Sequence, residues 1–158
     1  PNIITLLSLI FGILSAYFLF NDYKLFLIFL TLHFLSDSLD GVIARNSKNV
    51  TRLGEYLDHI FDRIVTIAFL ISVYNFTKDY YILIVLMVFV FTQSIHIITK
   101  FEYPIIFSRT AMLIILTFYP LHTVIITNLS FLTVGVLSLY SGILQMNYFF
   151  ANNYKKLR

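Results

Sequence analysis

Four aspartates lie within a stretch of 26 residues, and their spacing divides them into two pairs. Asp37 and Asp40 are three residues apart, and Asp58 and Asp62 are four apart, so each pair shares one face of a helix. Carboxylates this close repel one another, and a divalent cation with oxygen ligands relieves the repulsion. The chain has no cysteine, so Mg²⁺ or Mn²⁺ is favoured over zinc. The spacing therefore predicts a metal centre.

A second interpretation makes the aspartates topology anchors that pair with Arg45, Arg52 and Arg63. Exposed ion pairs contribute only about 0–1 kcal/mol and do not require this spacing. Ionisable side chains in membrane segments are costly and usually functional. We therefore favour the metal centre.

The residues between the aspartates extend the pattern. The chain reads Asp37-Ser-Leu-Asp40-Gly41-Val-Ile-Ala44-Arg45, then eight residues, then Gly54-Glu-Tyr-Leu-Asp58-His-Ile-Phe-Asp62. This segment resembles the signature of the CDP-alcohol phosphotransferase family at each specified position. Gly41 and Ala44 leave room beside the carboxylates for a flat group such as a cytosine ring, and Gly54 does the same one turn before Asp58. Arg45 offers a planar fork suited to phosphate oxygens.

The resemblance implies a role for each of these positions. In the family the four aspartates hold the metal, for which we expect two Mg²⁺ or Mn²⁺ ions, and the last one, here Asp62, is the proposed general base. The residues expected to contact the CDP moiety are Asn2, Thr5, Asp37, Gly41, Ala44, Arg45, Thr51, Gly54 and Asp58. Arg109 is either a ligand of the acceptor or lipid phosphate, as in several members, or a positive anchor on the inner side. His33, one turn before Asp37, is a candidate supporting partner.

The activity that the resemblance implies is transfer of a substituted phosphate, phosphatidyl or archaetidyl, from a CDP-linked lipid donor to a small alcohol acceptor. CMP is released, and the product is a phospholipid. The alternatives are a cation transporter with intramembrane carboxylates and a non-catalytic membrane scaffold. A transporter would more often place its carboxylates at the bilayer midplane beside broken helices, whereas these lie at one surface near Arg45. No nucleic-acid partner is expected.

The composition predicts helices that lie in a membrane. Of the 158 residues, 59% are hydrophobic and 12% are charged, against about 25% charged in soluble domains. Segments long enough to cross the bilayer, or nearly so, are residues 2–20, 24–45, 56–77, 80–99, 104–127 and 129–151. Pro120 is expected to kink the fifth. We predict an all-α, six-helix bundle that forms a single domain over residues 1–158.

The basic residues predict the orientation of this bundle. If residue 1 is cytoplasmic, nine of the 11 basic residues lie on the cytoplasmic side, and only Lys24 and Lys78 lie outside. This bias predicts a multi-pass protein of the cell membrane with both termini in the cytoplasm and an active-site cavity open to it.

Small residues recur every four positions at Ser8, Gly12 and Ala16, and again at Ser138 and Gly142. Such faces allow helices to approach closely, either within one bundle or across a dimer seam. We favour packing within the bundle for these residues and also expect the protein to form a homodimer in contact with membrane lipid.

Overall fold

The computed structural model describes residues 2–46, 52–98 and 108–156. Within these ranges the secondary structure is entirely α-helical, which confirms the predicted class. The helices are α1 (Asn2–Phe18), α2 (Tyr23–Asn46), α3 (Arg52–Thr77), α4 (Tyr81–Ile98), α5 (Ser108–Leu116) and α6 (Thr123–Lys156). The chain packs as two compact units, Pro1–Lys78 and Asp79–Arg158, and each is described by itself. The single domain stays a prediction.

In the first unit, α1 packs against both α2 and α3. The Ser8 hydroxyl contacts His33, and the Ser15 hydroxyl donates to the carbonyl of Phe26 over 3.3 Å. Residues further along α1 contact residues earlier in α2, so these two helices are antiparallel. In α3 the order is the same as in α1: Ser72 donates to the carbonyl of Ala16, and Phe76 stacks on Phe20. The three helices therefore run alternately up, down and up.

Gly12 sets how closely these helices approach. A Cβ atom at this position would lie 2.6 Å from one methyl of Val65 and 3.3 Å from Nδ1 of His33. Val65 is fully buried and β-branched, so it has little freedom to move. The face formed by Ser8, Gly12 and Ala16 is therefore used inside the unit, as the packing interpretation predicted, and the homodimer stays a prediction.

The first two helices are separated by a short turn with its own cap. Backbone N–H groups of Asn21 and Asp22 donate to the carbonyl of Phe18, where α1 ends. The Asp22 carboxylate then accepts from the N–H groups of Lys24 and Leu25, which are in the first turn of α2. This is the usual N-cap arrangement, and it places the break where the sequence predicts it.

In the second unit, α6 packs against both α4 and α5. Val85 lies beside Gly135, and Thr92 lies beside Gly142, so α4 and α6 are parallel with a constant register. The Tyr81 hydroxyl donates to the side-chain oxygen of Asn128 near the start of the pair. The small residue Gly142 is thus another packing position within its unit.

The predicted boundary between the last two segments is wrong. The structure ends α5 at Leu116 and begins α6 at Thr123, whereas the sequence predicts the break at residues 127–128. Pro120 accounts for the end of α5, because its ring would clash with the carbonyl of residue 116 in a continuous helix. The Leu116 carbonyl instead accepts from the N–H of Tyr119 over 3.2 Å. Pro120 lies in a turn and does not kink a helix.

Several helices have the length and hydropathy of membrane spans. Within the described residues, three apolar segments of 21 to 29 residues qualify: Tyr23–Ile43, Leu57–Thr77 and Thr123–Ala151. Two shorter apolar segments are Ile3–Phe18 and Tyr81–His96, and α5 has nine residues. The chain is a membrane protein, and six complete crossings remain a prediction.

Candidate active site

Three of the four predicted aspartates come together where α2 ends and α3 begins. The helices α2 and α3 are antiparallel, and Phe26 and Phe69 pack edge to face with ring centroids 6.4 Å apart. In this antiparallel alignment Asp37 lies opposite Asp58. With Asp62, one turn further along α3, each offers a carboxylate oxygen, and these three oxygens lie within 4.8 Å of one another. All three residues are half-buried.

This arrangement fits a divalent cation. Oxygens bound to one magnesium ion lie up to about 4.2 Å apart, because each lies about 2.1 Å from the metal. Separations of up to 4.8 Å therefore require only small side-chain rotations. The donor set contains only carboxylate oxygens, which suit magnesium, calcium or manganese better than zinc or copper. Asp37, Asp58 and Asp62 are therefore suitable metal ligands.

Asp40 has a different environment from the other three aspartates. Its Oδ2 accepts a hydrogen bond from the Thr5 hydroxyl of α1. Its Oδ1 is buried and has no hydrogen-bond partner within the described residues. A buried carboxylate oxygen without a partner is costly and often indicates a missing ion or ligand. Asp40 therefore lies outside the three-carboxylate cluster, with one oxygen available to a ligand.

Comparison with known proteins agrees with this geometry. The family model described as CDP-alcohol phosphatidyltransferase matches residues 1–151. The chain belongs to this family. Two proteins with similar segments both come from Aquifex aeolicus (strain VF5).

The first is named a bifunctional IPC transferase and DIPP synthase, and it is 37% identical over 70 residues, 44% of this chain and 16% of the relative. The second is named a CDP-diacylglycerol–glycerol-3-phosphate 3-phosphatidyltransferase, and it is 36% identical over 80 residues, 50% of this chain and 45% of the relative. The alignments thus cover less than half of each relative.

The other residues matched to the CDP-alcohol phosphatidyltransferase signature are distributed over the same helices. Gly41 on α2 and Gly54 on α3 are half-buried. Ala44 and Arg45 belong to the last turn of α2, and Asn2 begins α1. The side chains of Asn2, Ala44 and Arg45, and the whole of Thr51, lie outside the described residues. The CDP-binding roles stay predictions.

Arg109 belongs to the second unit, whereas the carboxylates belong to the first. It lies in the first turn of α5 and is half-buried. Its assignment to the phosphate of the acceptor or lipid stays a prediction.

Helix α1 makes two contacts beside the carboxylates that were not predicted from the sequence. Thr5 pairs with Asp40, and Ser8 pairs with His33. A signal was available. Thr5 and Ser8 are one turn apart, and the polar residues His33 and Asp40 are two turns apart, so each helix carries a polar stripe. The CDP-binding role of Thr5 stays a prediction.

Proposed function

We propose that this protein transfers a substituted phosphate from a CDP-linked lipid to a small alcohol, releasing CMP in phospholipid synthesis. The observation that supports the proposal is the meeting of three carboxylate oxygens, from Asp37, Asp58 and Asp62, within 4.8 Å. They lie on the two helices that carry the family's signature. The reaction class, transfer of a substituted phosphate, is supported by membership of the CDP-alcohol phosphatidyltransferase family.

The metal would be held by Asp37, Asp58 and Asp62, with the buried oxygen of Asp40 as the fourth carboxylate ligand. Bound there, one or two Mg²⁺ or Mn²⁺ ions would neutralise the charge of the diphosphate and stabilise the departing CMP.

Asp62 is the proposed general base. Its carboxylate takes the proton from the acceptor hydroxyl, and the acceptor oxygen attacks the phosphorus that carries the lipid. A new phosphorus–oxygen bond forms to the acceptor as the bond to CMP breaks, and CMP leaves with the electron pair. Asp62 has the position for this role, because it lies one turn further along α3 than Asp58. The step requires no covalent intermediate with the enzyme.

The signature and the relatives suggest which substrates to test. Gly41, Ala44 and Gly54 leave space for the nucleotide, and Arg45 carries charge suited to phosphate. A relative's name specifies CDP-diacylglycerol and glycerol 3-phosphate, so this pair is the first to test. CDP-archaeol as donor, and inositol phosphate or serine as acceptors, are the other members of the panel.

The decisive experiment is release of CMP by the purified full chain in nanodiscs. Each donor is supplied with each acceptor in the presence of Mg²⁺ or Mn²⁺, and CMP is quantified by chromatography. We expect acceptor-dependent CMP from at least one pair, with the lipid product confirmed by mass spectrometry. A control without acceptor measures hydrolysis. No acceptor-dependent CMP from any pair would contradict the proposal.

We also propose six crossings, with both termini and the active-site cavity on the cytoplasmic side of the cell membrane. The support is the bias of nine to two in the basic residues. Single cysteines replacing Lys48 and Lys156 should react with an impermeant maleimide only from the cytoplasmic side, and one replacing Asp79 only from outside. The chain has no cysteine of its own, so no background correction is needed. External labelling at position 48 would overturn the orientation.

A further inference from the structure

Helices α1 and α2 are joined by polar contacts at three levels. These are Thr5 with Asp40, Ser8 with His33, and Ser15 with the carbonyl of Phe26. The first level includes a carboxylate of the candidate active site. The second lies one turn away along α1, and the third lies at the other end of the helix pair.

The Ser8–His33 contact is the most constrained of the three. His33 is only 1% exposed and lies within an apolar segment long enough to span a membrane. Its Nδ1 lies 2.9 Å from the carbonyl oxygen of Ser8 and 2.9 Å from the Ser8 hydroxyl. A carbonyl oxygen can only accept, so Nδ1 carries the proton and donates to it. The Ser8 hydroxyl in turn donates to the carbonyl of His33 over 3.4 Å.

This exchange of hydrogen bonds ties a side chain of each helix to the backbone of the other. Gly12, the next turn of α1, leaves no room for adjustment, because a Cβ atom there would lie 3.3 Å from the same Nδ1 and 2.6 Å from Val65. The side chain of His33 is therefore held between the α1 backbone and the packed core, and it sets the position of α1 relative to α2.

That position decides whether Thr5 can reach Asp40. Ser8 follows Thr5 by three residues, and His33 precedes Asp40 by seven, so the two contacts are about one turn apart on α1 and two turns apart on α2. A sliding or rotation of α1 at Ser8 would carry Thr5 away from Oδ2 of Asp40. The carboxylate would then be free to change rotamer, and its buried Oδ1 would lose its fixed position.

We propose that His33 and Ser8 are positioning residues for the active site: they hold α1 so that Thr5 fixes the carboxylate of Asp40 in the orientation that binds metal. The inference rests on the proposed function for its consequence in catalysis, but its first consequence is for metal affinity. Removing a group that orients a metal ligand typically weakens metal binding about 10- to 100-fold.

Two amide substitutions of His33 test the proposal. Asparagine places its amide N–H near the position of Nδ1, whereas glutamine places it near Nε2. His33→Asn should therefore keep the donor to the Ser8 carbonyl, and His33→Gln should lose it. Ser8→Ala removes the reciprocal hydroxyl. Ser15→Ala is the matched control, because it makes the same change on the same helix pair far from the carboxylates.

Mn²⁺ binding is measured on each purified variant of the full chain in detergent and without substrate. Electron paramagnetic resonance reports the concentration of unbound Mn²⁺. We expect Ser8→Ala and His33→Gln to raise the Kd for Mn²⁺ at least about 10-fold, and His33→Asn and Ser15→Ala to stay within about twofold of the wild type. The Mn²⁺ concentration for half-maximal CMP release should shift in the same order.

Wild-type affinity in both Ser8→Ala and His33→Gln would overturn the positioning role. So would an equal loss in Ser15→Ala, which would show a general effect of helix packing. If Ser8→Ala does not fold, the two His33 variants decide, and equal affinities in them overturn the proposal. A wild-type protein that binds Mn²⁺ but releases no CMP from any substrate pair would overturn the proposed function instead.

Discussion

The two units of the chain differ in whether their polar residues include a cluster of carboxylates. Of the eight acidic residues, only Asp79 and Glu102 belong to residues 79–158. The first unit places three carboxylates within 4.8 Å of one another and holds a fourth by a hydroxyl. Among the described residues of the second unit, the buried polar side chains carry hydroxyl, amide or imidazole groups. They are Thr92, Gln93, His96, Ser108, Thr127, Ser130, Ser138, Ser141 and Gln145.

Two glycines, one in each unit, also differ in how much room surrounds them. At Gly12 in the first unit, an added methyl group would meet a buried β-branched side chain at 2.6 Å. At Gly135 in the second, it would meet Val85 at 3.5 Å, an ordinary contact distance. Gly142 is an exception, because Thr92 lies 2.8 Å from its built Cβ.

This contrast connects packing with chemistry. Carboxylates at membrane depth are stable only when something fixes and neutralises them. The first unit fixes Asp40 through α1, and tight packing at Gly12 keeps α1 in place. Neutral polar groups require no such arrangement, and they stabilise pairs of membrane helices by interhelical hydrogen bonds and close contact. We therefore assign the metal chemistry to the first unit and expect the polar groups of α4 and α6 to act mainly in helix association.

The largest effect on CMP release is expected from removal of the metal, which should act on the carboxylates of the first unit. Excess EDTA should abolish CMP release, and Mg²⁺ or Mn²⁺ should restore it, because the clustered ligands of the first unit are all oxygens. Circular dichroism should show that helix content is retained in the chelator, since the helices are held by apolar packing. Full CMP release in excess EDTA would remove the metal from the mechanism.

Substitution of single carboxylates should separate the base from the metal ligands. We expect Asp62→Asn to lose about 10²- to 10⁴-fold in turnover, the usual loss for a general base, while it still binds CDP in the presence of metal. Asp37→Asn should lose CDP binding as well. The measurements are CMP release and calorimetric titration with CDP.

Asp22→Asn is the matched control for these variants. It makes the same change at an exposed carboxylate that caps α2, and asparagine is an equally good cap. Its turnover should be unchanged. Normal turnover of Asp62→Asn would refute the assigned base, and loss of CDP binding as complete as in Asp37→Asn would refute the division of roles.

Local spacing made most of this site predictable from the sequence. Asp58 and Asp62 share a helix face because they are four residues apart, and the short link from α2 makes the helices neighbours. The polar stripes of α1 and α2 indicated which helix faces could meet, but the choice of Thr5 as the partner of Asp40 was not predictable, because Thr5 is 35 residues away and the contact depends on the register of α1 against α2. The register in turn depends on the contact of Gly12 with Val65 and His33, which belong to other helices and are distant in the sequence.

The helix boundaries also divide into those that local residues predict and those that depend on distant contacts. The break before α2 follows from Asp22, whose capping role is local. The break before α6 was misplaced because Thr127 and Asn128 appear polar enough to end a helix. Asn128 instead accepts a hydrogen bond from Tyr81, 47 residues away, and Thr127 donates to the carbonyl of Thr123 in its own helix.

Matched glycine substitutions test the difference in packing. Gly12→Ala should destabilise the protein by about 1–3 kcal/mol, the usual cost of overpacking a core, and should lower CMP release by displacing α1. Gly135→Ala has room for the methyl group and should gain about 0.5–1 kcal/mol from the better helix propensity of alanine. The free energy of unfolding can be measured by titration with SDS, followed by circular dichroism. Equal changes in the free energy of unfolding at the two positions would contradict the difference in packing between Gly12 and Gly135.

The smallest effect is expected at the hydrogen bond between Tyr81 and Asn128, the contact that shows why α6 begins earlier than predicted. Tyr81→Phe removes the hydroxyl and keeps the ring, which packs edge to face on Phe131 with centroids 6.4 Å apart. Interhelical hydrogen bonds in membrane proteins contribute on average about 0.6 kcal/mol, and the unfolding free energy should fall by about that amount. Tyr140→Phe, the same change on an exposed face of α6, is the control. CMP release should be unchanged in both variants, because the polar groups of α4 and α6 are assigned helix association rather than chemistry. A tenfold loss of turnover in Tyr81→Phe at wild-type stability would show that α4 and α6 take a direct part in the reaction.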